Sequence, residues 1–243
     1  MTYCVGMRLD RGLIFMSDSR TNAGIDNVSV FRKMFTWSTP GERVITIMTA
    51  GNLATTQAVV SLLDERSKVP ADRKPSILEA PTMFQVATLI GETLREQVRV
   101  HAGEAPEAET KFGATMIVGG QIAGMEPRLF LVYPEGNFIE ASEDTPFFQT
   151  GETKYGRPIL LRAYDSDMSF EDAVKLLILS FDSTLKANLS VGMPLDLQVY
   201  EIDSLQVGEE RRIEQDDAYY TEISSGWSEA LRTAFHSLPK FKF

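Results

Sequence analysis

The chain opens Met1-Thr2-Tyr3-Cys4-Val5-Gly6-Met7. Tyr3 to Met7 is an apolar run that starts almost at the first residue. Asp10-Arg11-Gly12 has turn chemistry, and Leu13-Ile14-Phe15-Met16 is a second apolar run. Together they predict a β-hairpin. That hairpin carries Ser17-Asp18-Ser19-Arg20 back to the start of its first strand, beside Thr2. Thr2 is small enough to allow removal of the initiator methionine. A terminal threonine then holds a hydroxyl and, on the same residue, an α-amino group of reference pKa about 7.7–8.0. Nucleophile and base are joined by covalent geometry, the arrangement of an amine-activated threonine.

A threonine in second place is common and carries little weight alone. Its surroundings add weight. Val28-Ser29-Val30-Phe31-Arg32-Lys33-Met34-Phe35 reads as a further extended run that brings in Lys33. Most lysines are solvated, but Phe31, Met34 and Phe35 around this one predict a partly buried strand, where an ammonium needs a carboxylate partner. Asp18, otherwise a turn residue, is the candidate. An ammonium beside a hydroxyl lowers the pKa of its neighbours, and a carboxylate orients the ammonium.

The 243 residues fit one domain over 1–243, and a hydrophobic fraction of 43% supplies a sizeable core. A net charge of −10 argues against nucleic acid and anionic membrane partners. One cysteine allows no intrachain disulfide. No stretch is long and apolar enough for a membrane helix, and no signal-peptide pattern opens the chain, so the expected location is the cytoplasm. Cys4 shares a strand face with Thr2 but has no histidine near it in sequence, which favours a buried, inert thiol. His101 and His236 stand in no motif. No Cys or His pair has metal-ligand spacing, and Gly119-Gly120 lacks the lysine of a phosphate-binding loop, so no metal and no cofactor are expected.

Farther along, Arg43 to Thr49 predicts a mostly buried strand, and Asn52 caps a helix with Leu53, Val60 and Leu63 on one stripe. Ser67 to Pro81, with three prolines, is expected to be irregular. Thr82 and Gln85 form a capping box for a helix with Met83, Ala87, Ile90, Leu94 and Val98 on one face. The segment around Gly103-Glu104-Ala105-Pro106 reads as a solvated acidic loop. Short strands follow at Thr115–Val118, Leu129–Tyr133 and Phe138–Glu140, with Glu135-Gly136-Asn137 as a hairpin tip. Helix resumes near Tyr155. Ser169 and Asp172 open another, with Phe170, Val174, Leu177 and Phe181 on one stripe. Strands at 195–202 and 212–214 and a last helix over 224–238 complete the pattern, Trp227, Leu231 and Phe235 sharing a face. Two strand blocks, each followed by helices, predict α+β architecture with two packed sheets, and leave open a pair of separate α+β units.

Thr2, Ser17-Asp18-Ser19-Arg20-Thr21-Asn22-Ala23-Gly24, Lys33, Thr49-Ala50-Gly51 and Gly151-Glu152-Thr153-Lys154-Tyr155-Gly156 together resemble the proteasome β-type subunits, N-terminal-nucleophile hydrolases. Within them the resemblance is to the bacterial ancestral β-subunit branch, Anbu. It implies a four-layer αββα sandwich and a threonine-type peptidase acting through Thr2, with Asp18 and Lys33 catalytic and the Gly51 N–H meeting the oxyanion. It also implies a homo-oligomer, a ring or a helical stack, with a peptide or protein substrate and a substrate-delivery partner. An extended substrate is expected to pair near Thr21, Asn22 and Gly51 by strand addition. Two positions depart from the family pattern. In Ala187-Asn188-Leu189-Ser190-Val191-Gly192 alanine stands where an aspartate is usual, with Asp182 or Asn188 as candidates to compensate and Ser190 as a supporting residue. In Gly151-Glu152-Thr153 glutamate replaces a serine that supports the terminal amine. Two alternatives stay open: an amidase on a small peptide-like metabolite, or a structural assembly subunit with weak catalysis.

Overall fold

The computed structural model describes residues 2–22, 28–68, 75–102 and 111–243. The expected initiator removal at Met1, the acidic segment at Gly103–Pro106 and Pro70 lie outside them. The opening hairpin is formed by β1 (Tyr3–Leu9) and β2 (Gly12–Asp18), paired antiparallel with Leu9 opposite Gly12 and Cys4 opposite Ser17. Both strands are apolar on both faces, because each face meets a different core. Tyr3, Val5, Met7, Ile14 and Met16 point into a cluster shared with helices, while Cys4, Leu13 and Phe15 point into a second cluster between two sheets. The period of two along a strand sorts the residues between these cores.

This hairpin is the centre of the first sheet. β10 (Phe147–Gly151) flanks β1, and β11 (Leu195–Glu201) with β12 (Glu210–Ile213) extends from β2. The second sheet runs in the order β5 (Met34–Thr39), β6 (Arg43–Gly51), β7 (Ala114–Ile122), β8 (Arg128–Val132) and β9 (Phe138–Glu140). A two-stranded ribbon, β3 (Arg20–Asn22) with β4 (Val28–Val30), stands apart from both. The sheets pack face to face through Leu13, Phe15, Met48, Ile117, Leu129 and Phe148. Buried polar bridges also cross the gap: the Thr46 hydroxyl donates to Gln198 Oε1 at 2.5 Å and the Tyr200 phenol to Gln121 Oε1 at 2.6 Å.

Helices cover the outer faces. α1 (Leu53–Lys68) and α2 (Met83–Ala102) lie on the second sheet; α3 (Arg157–Ala163) and α4 (Phe170–Ala187) lie on the first. The result is the four-layer αββα sandwich. Caps set where the helices start: Asn52 Oδ1 accepts the Thr55 N–H at 3.1 Å, Thr82 Oγ1 that of Gln85 at 3.2 Å, and Ser169 Oγ that of Asp172 at 3.1 Å. The stripe of α2 is wholly buried, whereas on α4 Phe170 and Val174 remain partly exposed. α5 (Ala218–Ser237) packs on α4 by its first turns but buries none of its residues fully.

Four expectations change. The run from Val28 to Phe35 is two strands, because the chain leaves extended pairing at Phe31–Lys33. β10 has too short a pattern to stand out in sequence and exists through its pairing with β1, Cys4 opposite Thr150. The last helix begins at Ala218, six residues before the predicted start at 224, because the Asp217 carboxylate caps it by accepting the Tyr220 N–H at 3.0 Å. Finally, the strand blocks do not correspond to the sheets, since the first sheet recruits β1, β2, β10, β11 and β12 from both halves of the chain.

Phe15, 1% exposed, fills the space between the sheets. Phe15→Ala is expected to lower unfolding free energy by about 3–5 kcal/mol in urea titration; an unchanged midpoint would refute the inter-sheet packing.

Candidate active site

The hairpin register places Asp18 where its carboxylate meets the backbone of the first strand. Asp18 Oδ1 accepts the Tyr3 N–H at 2.9 Å, so the aspartate is tied to the residue that follows Thr2. Lys33 Nζ reaches the same oxygen at 2.6 Å and also donates to the Arg20 carbonyl at 2.6 Å. Gly192 N–H completes the set on Asp18 Oδ2 at 3.2 Å. The side chains of Lys33 and Asp18 are 5% and 0% exposed. Burial pushes the Asp18 carboxyl upward from its ordinary value, and the Lys33 ammonium and the Tyr3 and Gly192 amides oppose that push.

Lys33 lies outside the regular strands, yet its backbone is held. The Thr49 N–H donates to the Lys33 carbonyl at 2.9 Å, which fixes the lysine against the end of β6. Gly51 closes that strand, exposed and with φ of +113°. A Cβ there would stand 2.6 Å from the Gly113 carbonyl oxygen, so glycine is required by the backbone as well as by any ligand that approaches it.

The Thr2 carbonyl accepts the Glu152 N–H at 2.6 Å. Gly151, with φ of +85°, allows this approach, since a Cβ would lie 1.9 Å from the Thr2 oxygen. Tyr3 is anchored from its other end: its phenol bonds Ser180 Oγ at 2.7 Å and accepts from Gln149 Nε2 at 2.6 Å. Burial pushes that phenol up to about 12, so it stays protonated.

The loop after α4 closes over this region. Ser19 Oγ donates to the Pro194 carbonyl at 2.6 Å and Arg20 Nη1 to the Leu189 carbonyl at 3.0 Å. The position departing from the family pattern at Glu152 is coupled to this loop: Asn188 Nδ2 donates to Glu152 Oε2 at 2.8 Å, and Asn188 Oδ1 accepts the Ser190 N–H at 2.9 Å. Of the two candidates to compensate for Ala187, Asn188 is thus linked to Thr2 through Glu152. Asp182 is engaged elsewhere, by Lys186 at 2.8 Å and the Tyr220 phenol at 3.0 Å. Sequence reading assigned no role to Arg20 or Gly192. The Arg20 guanidinium lies against Gly192, where a Cβ would be 2.1 Å from Arg20 Nε; the signal available was a glycine in an otherwise altered motif.

Thr21 and Asn22 lie in β3, opposite Ser29 and Val28, and the other edge of β3 pairs with no strand among the described residues. Ser190 makes its hydrogen bond through its backbone N–H. Cys4 is fully buried with its thiol pushed up by burial, which leaves it unreactive. His101 pairs with the Thr55 hydroxyl at 3.2 Å, a structural contact. Among the described residues no cluster of His, Cys, Asp and Glu is arranged to hold a metal, and no helix is long and apolar enough to cross a membrane.

Residues 2–199 match the family described as Proteasome, proteasome subunit. The chain belongs to the proteasome subunit family. Among solved structures it resembles Anbu (ancestral beta-subunit) from Yersinia bercovieri, at 46% identity, TM-score 0.92 and full coverage of both chains. It also resembles the "Helical Assembly of the Anbu Complex" from Pseudomonas aeruginosa, at 48% identity and TM-score 0.92, covering 99% of this chain and 98% of that one. A curated relative, proteasome subunit beta of Methanopyrus kandleri, is 26% identical over 194 residues, 79% of this chain and 82% of that protein.

Replacing Lys33 by Met leaves Asp18 buried without its ammonium. The expected loss is about 3–5 kcal/mol near pH 7. Without the lysine, burial holds the folded-state Asp18 above its unfolded value of about 3.9. A group raised in this way favours the fold at low pH, and that contribution disappears as pH rises through the folded value. The deficit of Lys33→Met relative to the parent should therefore shrink from about pH 7 to about pH 4 in denaturant titrations. A deficit independent of pH would contradict the pairing.

Proposed function

We propose that the chain is a threonine-type peptidase whose nucleophile is the Thr2 hydroxyl, freed for catalysis by removal of Met1. The observation that carries this reading is the bond from Tyr3 N–H to Asp18 Oδ1, shared with Lys33 Nζ. It ties the buried ion pair to the backbone directly after Thr2.

In this reading the free α-amine accepts the Thr2 Oγ1 proton, directly or through a water, as the oxygen attacks the substrate carbonyl carbon. The positive charge of Lys33, balanced by Asp18, favours the developing alkoxide. The tetrahedral oxyanion is met by the Gly51 N–H, a class of contact worth about 2.7–4 kcal/mol where it has been removed. Collapse breaks the C–N bond, the leaving amine takes the proton from the α-ammonium, and an ester remains on Thr2. Water activated by the same amine then hydrolyses the ester. The edge of β3 at Thr21 and Asn22, which pairs with no strand among the described residues, suits an extended peptide added as a strand. Ser190 and Asn188 support the geometry through Glu152. The relatives that form assemblies support a homo-oligomer, a ring or a helical stack, with the sites facing inward and working in the cytoplasm on peptide or unfolded protein.

Incubation with a threonine-directed electrophile, followed by peptide mass spectrometry, should place the adduct on Thr2 in a chain whose intact mass lacks Met1. Thr2→Ala should lose both adduct and peptide hydrolysis. Equal labelling of Thr2→Ala, or retention of Met1 in the active protein, would overturn the assignment.

A further inference from the structure

On the far side of the first sheet a cleft of about 460 Å³ opens between α4, the β11–β12 pair and the start of α5. Its floor and walls are apolar, from Phe170, Val174, Ile178, Leu197, Val199 and Ile213. Two carboxylates, Glu171 and Glu209, stand at it exposed, with no side-chain partner among the described residues. The one cation lining it among the described residues, Arg211, is already paired with Asp217 at 2.7 Å. The cleft therefore suits a segment that alternates large apolar side chains with positive charges.

The same chain presents such a segment. After α5 comes Leu238-Pro239-Lys240-Phe241-Lys242-Phe243, in which Leu238, Phe241 and Phe243 are all exposed. In an extended conformation Phe241 and Phe243 share one face and Lys240 and Lys242 the other. Reach decides whose cleft it enters. Tyr219, at the start of α5, lines the cleft, and the 20-residue helix then carries the chain away. That helix spans about 30 Å, whereas the six residues after it extend at most about 20 Å. With α5 intact they cannot return to their own cleft, but those of another copy can enter it.

We propose that Leu238–Phe243 of one copy docks in the α4–β12 cleft of a second copy, Phe241 and Phe243 on the apolar floor and Lys240 and Lys242 toward Glu171 and Glu209. This deepens the assembly part of the reading above by naming its surface. Donor and acceptor are different surfaces, the kind of contact from which rings and open helices are built when it is not exchanged reciprocally between two copies.

The test uses the full chain. Phe241→Ala with Phe243→Ala should weaken self-association about 100-fold, seen as a shift to smaller species in sedimentation velocity with an unchanged circular dichroism spectrum. A fluorescent, end-capped Leu-Pro-Lys-Phe-Lys-Phe peptide should bind that variant, more weakly as salt is raised. Glu171→Lys with Glu209→Lys, both on the surface, should abolish assembly through this contact, and adding Lys240→Glu with Lys242→Glu should restore it. Unchanged sedimentation of the phenylalanine variant, or no rescue by the charge swap in folded proteins, overturns the proposal. Peptide binding with unchanged sedimentation would instead assign the cleft to a basic, aromatic segment of another protein, and also overturns it. None of these readouts measures hydrolysis. Thr2→Ala should assemble like the parent, so failure here and failure of the peptidase reading are separable.

Discussion

A single carboxylate, sealed from water, governs this end of the molecule. Asp18 meets three donors from three separate parts of the chain: the Tyr3 amide, the Lys33 ammonium and the Gly192 amide. Leaving that charge unpaired inside the protein costs several kcal/mol, so the three donors are held to one geometry. The first strand is thereby fixed at its start, the lysine is fixed against the end of β6, and the loop after α4 is drawn over both. The family to which the chain belongs supplies the frame, and this carboxylate makes the frame rigid where Thr2 emerges.

Second in importance is the way the opening hairpin serves two cores at once. Residues of β1 alternate between the helix-facing cluster and the inter-sheet cluster, so neither face tolerates a register slip. A shift of one residue would turn Tyr3 into the inter-sheet space and Cys4 toward α4. It would also take the Tyr3 amide away from Asp18. Register and site geometry are therefore one constraint.

What could be read from sequence followed from local chemistry. The apolar runs of the hairpin, the caps at Asn52, Thr82 and Ser169, the stripe of α2 and the pairing of Lys33 with Asp18 all depend on residue type at short range, or on a hairpin that brings them together. What was hidden depends on pairing at long range. β10 exists because β1 needs a neighbour; the break at Phe31–Lys33 exists because Lys33 turns inward to Asp18 while its carbonyl takes the Thr49 amide. The link between Glu152 and Asn188 spans 36 positions and has no sequence signature. It shows how one departure from the family pattern is accommodated: the Glu152 carboxylate is satisfied by the asparagine that follows Ala187.

Gly192 reaches Asp18 across 174 positions of chain. During synthesis, the ribosome exposes the hairpin long before it exposes that loop, and native pairing with β10 and β11 must also wait. The carboxylate is then still in water, with Lys33 free to swing, and the threonine has no organised surroundings. The surroundings of Thr2 are thus completed only after the last strands have closed, so the order of synthesis makes this corner of the molecule the last to become rigid.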